Sequence, residues 1–377
     1  MGLFSRSGSR GRRRGRSRGI LGSLPIIRWF GPLLTGGGIL GAAFGLVTGR
    51  IDLPALDQYR GTTAPVTLQP VSLRDLGDKS PDRIRIATFN IRQFAEKKAN
   101  KPIVMGRLAG IVGKFDVVAI QEVMSGSTLP IDRLVEVLNQ DTPRGTTPRF
   151  QSIVSHPIGR TSHKESYAFV WDASRIDFIP DSAYVVQDGE VGSGDDFLHR
   201  EPMVASFQVR ARPDQTARPF RFTLITMHTD PDEVRGDTNT NELNVLDDVF
   251  NNVRAWEYSQ NGEEDFILLG DLNVDVGGLA ELGRIPGMVS LAGKLKTNVI
   301  KTKTLDHILI DAQTTAEFVP GHVGVVDMVN DLGITLEEAK DVSDHLPVWA
   351  EFSAFESGAP GARSPQVARE GGQPTAR

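Results

Sequence analysis

"FILLGDLNVD", residues 266–275, runs four apolar residues directly into Gly270, Asp271 and Asn273. The apolar run is short and is flanked by Asp and Gly, so it reads as a buried strand rather than a helix. Turn residues often close a strand. Here, however, a carboxylate and an amide stand on the last rung itself, where a rigid strand would hold them in place. The same punctuation recurs on both sides of this stretch. "RIRIATFNI" is β-like and closes at Asn90, and "DVVAIQEV" closes at Gln121 and Glu122. "FRFTLITMHT" ends at His228, "LDHILI" begins at Asp306, and "LPVWAEF" follows Asp344 and His345.

"SYAFVW" and "MVASFQV" read as further strands. "IVMGRLAGIVGKF" has helical spacing, and "NELNVLDDVFNNVRAWEYS" places Leu243, Leu246, Val249, Phe250 and Val253 on one helical face. Many short strands with interspersed helices predict an α/β architecture between residues 83 and 353, with two packed sheets and helices outside.

Taken singly, Asn90, Glu122, His228, Asp271, Asn273, Asp306, Asp344 and His345 have ordinary explanations as turn, solvated or structural residues. Together they describe one chemistry. Carboxylates with an amide form a hard oxygen-ligand set suited to Mg²⁺ or Mn²⁺. The chain has no cysteine, which excludes disulfides and thiolate metal sites. Two histidines, each with a carboxylate to fix its tautomer, supply an acid and a base. Metal, acid and base around one scissile bond are what phosphoester hydrolysis requires. His156, His199, His307 and His322 have no such partner in the pattern and are expected to be ordinary loop or surface residues.

"TFNIR", "AIQEV", "TMHTDP", "GDLN" and "SDHLP" occur in the order found in the endonuclease/exonuclease/phosphatase superfamily. "GRTSHKESYAFVW" (159–171) and "FLHREPMV" (197–204) make the chain resemble its deoxyribonuclease I branch. The resemblance implies a four-layer α/β sandwich, two mixed sheets flanked by helices. It also implies that Glu122 binds the metal, with Asn90, Asp344 and Asp271 close by, and that Asp271 and Asn273 hold the scissile phosphate or the attacking water. On the same basis His345 with Asp306 is the general base and His228 with Glu165 the general acid. Arg200 lies near the acid pair and the phosphate, and Arg92 and Arg160 contact nucleic acid. The acidic loop before "REP" offers Asp188, Asp196 and Glu201 to a structural Ca²⁺, or is simply a solvated loop. Met124 and His163 stand where that branch has an arginine and a tyrosine at the DNA groove, so duplex readout should be weaker while the chemistry stays intact.

The resulting expectation is a metal-dependent phosphodiesterase acting on DNA as an endonuclease. A phospholipid phosphodiesterase or inositol-phosphate phosphatase with the same site is the alternative, and an inactive binding module the third reading. Charge bears on the substrate. Residues 1–50 hold nine Arg and no acid, leaving 33 basic against 47 acidic residues, a net −14, in the remainder. Such a body repels nucleic acid and anionic lipid unless cations or local basic groups intervene.

The N-terminus reads as a basic disordered stretch (1–19) and then a membrane anchor or cleaved signal (20–50). Its charge-free core, Trp29 to Gly49, would span about 31 Å as a helix, roughly one bilayer core. Basic residues before that core suit an anchored catalytic domain outside the cytoplasm, or a secreted one after cleavage. Residues 51–82 read as a linker and 354–377 as a disordered tail.

Overall fold

The computed structural model describes residues 76–357, apart from 125, 144, 163, 188–196, 212–215 and 237–240. The expectations for residues 1–50, for 51–75, for most of the C-terminal tail, and for His163, Asp188 and Asp196 lie outside the described residues.

The chain first lays down β1 (Arg83–Asn90), β2 (Val117–Val123), β3 (Phe150–Val154) and β4 (Ser166–Asp172) in one sheet. It then crosses to a second sheet for β5 (Ile176–Phe178), β6 (Tyr184–Val185), β7 (Met203–Val209), β8 (Arg221–His228), β9 (Phe266–Asp271), β10 (Met288–Ser290) and β11 (Asp306–Asp311). It returns to the first sheet with β12 (Phe318–Val325) and β13 (Val348–Ser353). The strand orders are β12-β13-β1-β2-β4-β3 and β10-β11-β9-β8-β7-β5, with β6 also paired to β7. Each sheet holds one parallel pair at its centre, β1 with β2 and β8 with β9; the other pairings are antiparallel. The two strands of a parallel pair end at the same edge of their sheet. Asn90, His228 and Asp271 end β1, β8 and β9, Glu122 is next to last in β2, and the Asn90–Asp271 hydrogen bond joins the two edges.

Among the described residues six helices flank the sheets: α1 (Glu96–Ala99), α2 (Pro102–Val112), α3 (Leu129–Leu138), α4 (Glu242–Asn261), α5 (Met328–Leu332) and α6 (Leu336–Val342). The four-layer sandwich is thus present. The central strands are apolar on both faces because both are covered. Along β8, Phe222 and Leu224 join the core between the sheets, while Ile225 and Met227 pack with α4. The expected face of α4, Leu243, Leu246, Val249, Phe250 and Val253, is buried. Asn241 caps the start of α4 by accepting from Leu243 N, and Gly262, at φ 73°, closes its end in the left-handed conformation. Between the sheets, Phe169 and Phe207 meet edge to face with centroids 5.6 Å apart. Emptying a position such as Phe207 would cost about 3–5 kcal/mol. Gln121 crosses the same core, donating to Thr226 Oγ1 (2.8 Å) and accepting from Thr88 Oγ1 (3.2 Å).

The folded unit extends past both boundaries read from the sequence. Leu76 is buried, and its carbonyl accepts from the Arg85 guanidinium. Lys79 pairs with Asp116 and Asp172, so residues 76–82 belong to the domain rather than to a linker. At the other end Ala354 is buried, and Phe220 N donates to its carbonyl. Among the described residues no helix is long and apolar enough to cross a membrane.

Candidate active site

At the shared edge, Asp271 Oδ2 is the centre of a small constellation. Asn90 Nδ2 donates to it at 3.0 Å, His228 Nε2 lies 3.6 Å away, and His345 Nε2 lies 3.5 Å away. Each imidazole is held from behind by a carboxylate: His228 Nδ1 by Glu165 Oε1 at 2.8 Å, His345 Nδ1 by Asp306 Oδ2 at 2.9 Å. Each pair spans the two sheets. His228 ends β8 of the second sheet, and Glu165 stands immediately before β4 of the first. His345 stands before β13 of the first sheet, and Asp306 opens β11 of the second.

Backbone geometry aims these groups. Gly270, at φ +153°, lies so close to β8 that a Cβ there would fall 1.8 Å from the Met227 carbonyl oxygen. That close approach explains the glycine before Asp271. Asn273 has φ 54°; its backbone N donates to Asp271 Oδ1 (3.1 Å) and its amide to the Thr229 carbonyl (2.8 Å). Glu122 has φ 60° and sits where the β2–β4 register shifts, which turns its carboxylate toward Asn90 Nδ2 (3.0 Å) and Gln93 N (2.8 Å). Left-handed backbone at a Glu and an Asn stores strain of order 1–3 kcal/mol each, retained where the surroundings fix it. Gly270→Ala should therefore unfold the protein or lower its Tm by more than 10 °C, as several kcal/mol of backbone clash requires in a domain of this size. A thermal melt checks this, and an unchanged Tm would mean that β8 and β9 separate easily.

Arg200 is buried with Nε 2.9 Å from Glu165 Oε1, and it also donates to the carbonyls of His228 (3.0 Å) and Thr229 (3.2 Å). It braces the Glu165–His228 pair from behind. Arg92 and Asp344 form a half-exposed ion pair at 3.2 Å on the rim. Arg160 pairs with Glu233 beside His199. Met124 is half-buried after β2, its backbone N donating to the Phe94 carbonyl. Glu201 is half-buried just after Arg200.

The oxygen set fits a hard divalent cation. Asn90 is fully buried and spends its amide nitrogen on Glu122 and Asp271, leaving Oδ1 without a hydrogen-bond partner. Asp344 Oδ1 is likewise buried and unpartnered. Burial alone would push the Glu122 carboxyl up. The positive field of His228, the Gln93 N–H and the Asn90 amide outweigh that effect and hold it below its usual value, so it is ready as an anionic ligand. Asp271, Asp306 and His345 also place ligand atoms within 4.8 Å of one another. Asp306 Oδ2 is committed to His345 Nδ1, however, so that trio orients an imidazole rather than offering three free ligands.

Several supporting residues have roles that the motifs containing them do not assign. Ser343 Oγ donates to the Asn90 carbonyl (2.7 Å) and accepts from Arg92 N and His345 N, tying the base to β1. Tyr167 Oη accepts from His228 N at 2.9 Å. Glu242, at the start of α4, accepts from His199 N (2.6 Å) and Asp230 N (2.5 Å), joining the Arg200 loop to the segment after His228. His307 is not a surface or loop residue: it is fully buried on β11, with one ring nitrogen 2.8 Å from the Val274 carbonyl and the other 2.9 Å from Ser290 Oγ. It therefore ties down the loop that follows Asn273.

With this geometry in hand, comparison with known proteins is informative. Residues 87–345 match the Endonuclease/Exonuclease/phosphatase family. Deoxyribonuclease-1 of Bos taurus is 28% identical over 276 residues, covering 70% of this chain and 90% of that protein. Deoxyribonuclease gamma of Rattus norvegicus is 30% identical over 277 residues, covering 70% and 83%. An endonuclease/exonuclease/phosphatase family protein from Bacteroides thetaiotaomicron superposes with a TM-score of 0.49 at 16% identity, covering 73% of this chain and 99% of that one.

Proposed function

Because the chain belongs to the Endonuclease/Exonuclease/phosphatase family, a family of hydrolytic enzymes, we propose that it is a divalent-cation-dependent phosphodiesterase cutting DNA internally. One observation carries the reading: two carboxylate-backed imidazoles, one from each sheet, bring their Nε2 atoms within 3.6 Å of the same Asp271 oxygen. A phosphodiester placed there has a group for proton removal on one flank and a group for proton delivery on the other. When bound at Glu122 and Asn90, Mg²⁺ or Mn²⁺ would offset phosphate charge and oppose protonation of the nearby imidazoles.

The chain's own groups divide the remaining work. Burial opposes charge on His228, but the Glu165 carboxylate, with Asp271, raises its pKa, which suits it to protonate the leaving oxygen. Burial opposes charge on His345 as well, yet Asp306, Asp271 and Asp344 hold it at about 10 in the cation-free protein. As a base toward water it must first lose that proton. Burial pushes Asp271 up, with Asp306 adding to the effect against the two imidazoles. The test is plasmid nicking run beside phospholipid and inositol-phosphate substrates, each with Mg²⁺, Mn²⁺ and EDTA. Nicked circles with either metal support the reading; turnover confined to lipid or inositol phosphate overturns it.

The 28–30% identity to deoxyribonucleases favours DNA, and the rim residue Met124 points to a weak grip on duplex. Methionine adds apolar surface but no charge for a narrow groove. Met124→Arg should raise initial rates on duplex DNA severalfold at low salt, with the gain shrinking at higher salt. Hydrolysis of a small phosphodiester reporter should not change. Equal stimulation of both substrates would place Met124 in the chemistry instead.

We also propose that Trp29 to Gly49 anchors the catalytic domain to a membrane. Full-length protein retained in washed membranes is the expected result; recovery of full-length protein in the soluble fraction contradicts it.

A further inference from the structure

At the end of the sandwich opposite the catalytic edge, four carboxylates from separate parts of the chain converge. Glu263 and Asp265 lie between α4 and β9, Glu317 precedes β12, and Glu356 follows β13. Asp265 is six residues before Asp271 along one strand, about 20 Å from the catalytic edge at the usual strand rise. One oxygen of each of Asp265, Glu317 and Glu356 lies within 4.8 Å of the other two. We propose that this cluster is a second divalent-cation site, suited to Ca²⁺, that fastens the distal ends of the two sheets together.

The spacing fits the ion. Three oxygens within 4.8 Å of one another leave one ion at their centre no more than about 2.8 Å from each, so small side-chain shifts bring all three to the 2.3–2.6 Å of a Ca²⁺ shell. The unsatisfied atoms point the same way. Asp265 and Glu317 are 7% and 3% exposed, yet Asp265 Oδ1 and Glu317 Oε2 face no donor, so only a cation or a proton shared between the two carboxyls satisfies them. Leaving such atoms buried and unpaired is costly, and a cation satisfies them.

The carboxylates are also held in place beforehand. Glu317 Oε1 accepts from Ser357 N (2.6 Å), Glu356 Oε1 from Arg221 N (3.0 Å), and Glu263 Oε1 from Asp265 N (2.9 Å). Arg218 and Arg221 line the same cavity as Glu263, Asp265 and Glu356, so among these residues acids outnumber cations. A polar cavity of about 60 Å³ beside them, lined by Arg218, Arg221, Asn261, Glu263, Asp265 and Glu356, admits an ion's remaining waters. Ca²⁺ suits the site better than Mg²⁺ because carboxylates from three segments provide an irregular shell, whereas Mg²⁺ demands near-octahedral geometry and keeps its waters.

The test uses the full chain carrying Glu122→Gln, so that binding at the catalytic edge is weakened. Millimolar Ca²⁺ should raise its Tm over EDTA by about 5 °C or more, the shift expected when ligand exceeds Kd about a hundredfold. Adding Asp265→Asn and Glu317→Gln should abolish that shift. Should the triple variant not fold, Glu356→Gln, at a half-buried position, added singly to Glu122→Gln should reduce it. Three results would overturn the proposal: no Ca²⁺ shift in Glu122→Gln, an undiminished shift in the cluster variants, or an equal shift with Mg²⁺.

Discussion

His228→Ala and His345→Ala each lower kcat by about 10²-fold or more, the usual size of an acid or base contribution, with circular dichroism unchanged. Each imidazole and its carboxylate act as one unit. Glu165→Ala added to His228→Ala should therefore cost far less than the product of the single losses. Near wild-type turnover in either single variant would remove that histidine from the chemistry. A second readout separates a charged imidazole from a merely packed one. His345 is held at about 10 in the cation-free fold, above the roughly 6.5 of an unfolded chain. Its stabilising contribution is then fully present below about pH 6.5 and is lost as pH rises through about 10. In EDTA, wild type should lose stability across that window, and His345→Ala should lose less. Identical slopes would mean that Asp306 and Asp271 do not hold a proton on His345.

Removing the cation should have an effect at least as large. Excess EDTA is expected to abolish hydrolysis of every phosphodiester substrate, with Mg²⁺ or Mn²⁺ restoring it. Glu122→Gln should raise the Mg²⁺ concentration needed for half-maximal rate by about 10-fold or more, since an amide keeps the shape of the ligand and loses its charge. The Asn90 oxygen remains in that variant, so high Mg²⁺ should recover part of the rate. Full activity in EDTA would contradict a site built around a buried, unpartnered amide oxygen and an ionised Glu122.

Which parts of the structure the sequence revealed follows from burial. β1, β2, β4, β7, β8, β9, β11 and β13 were all readable because they lie inside a sheet with both faces covered, so their apolar runs are nearly continuous. The strands that escaped notice, β3, β5, β6, β10 and β12, sit at or beside sheet edges. Their residues are mostly half-exposed, as in Phe318–Val325, which begins with five residues that are not buried. An edge strand needs little apolar patterning, so there is little to read.

The site divides along a similar line. Glu122, His228, Asp271, Asn273 and His345 could be placed because each sits in a short motif at a strand end. Ser343, Tyr167, Glu242 and His307 could not, since a serine hydroxyl or a buried glutamate signals its role only through a partner distant in sequence. Ser343 lies 253 positions from the Asn90 carbonyl it binds. His307 was misread as peripheral because its neighbours in sequence say nothing of Val274 and Ser290, the groups its ring meets.

The crossing of both histidine pairs between the sheets also determines when activity can begin. A partly folded chain with one sheet complete holds His228 without Glu165, or His345 without Asp306. Neither half is a weaker enzyme; each lacks both the acid and the base in working form. Competence therefore arrives in a single step, when the two sheets dock. The same logic holds in reverse, so under denaturant the loss of cutting should coincide with the parting of the sheets.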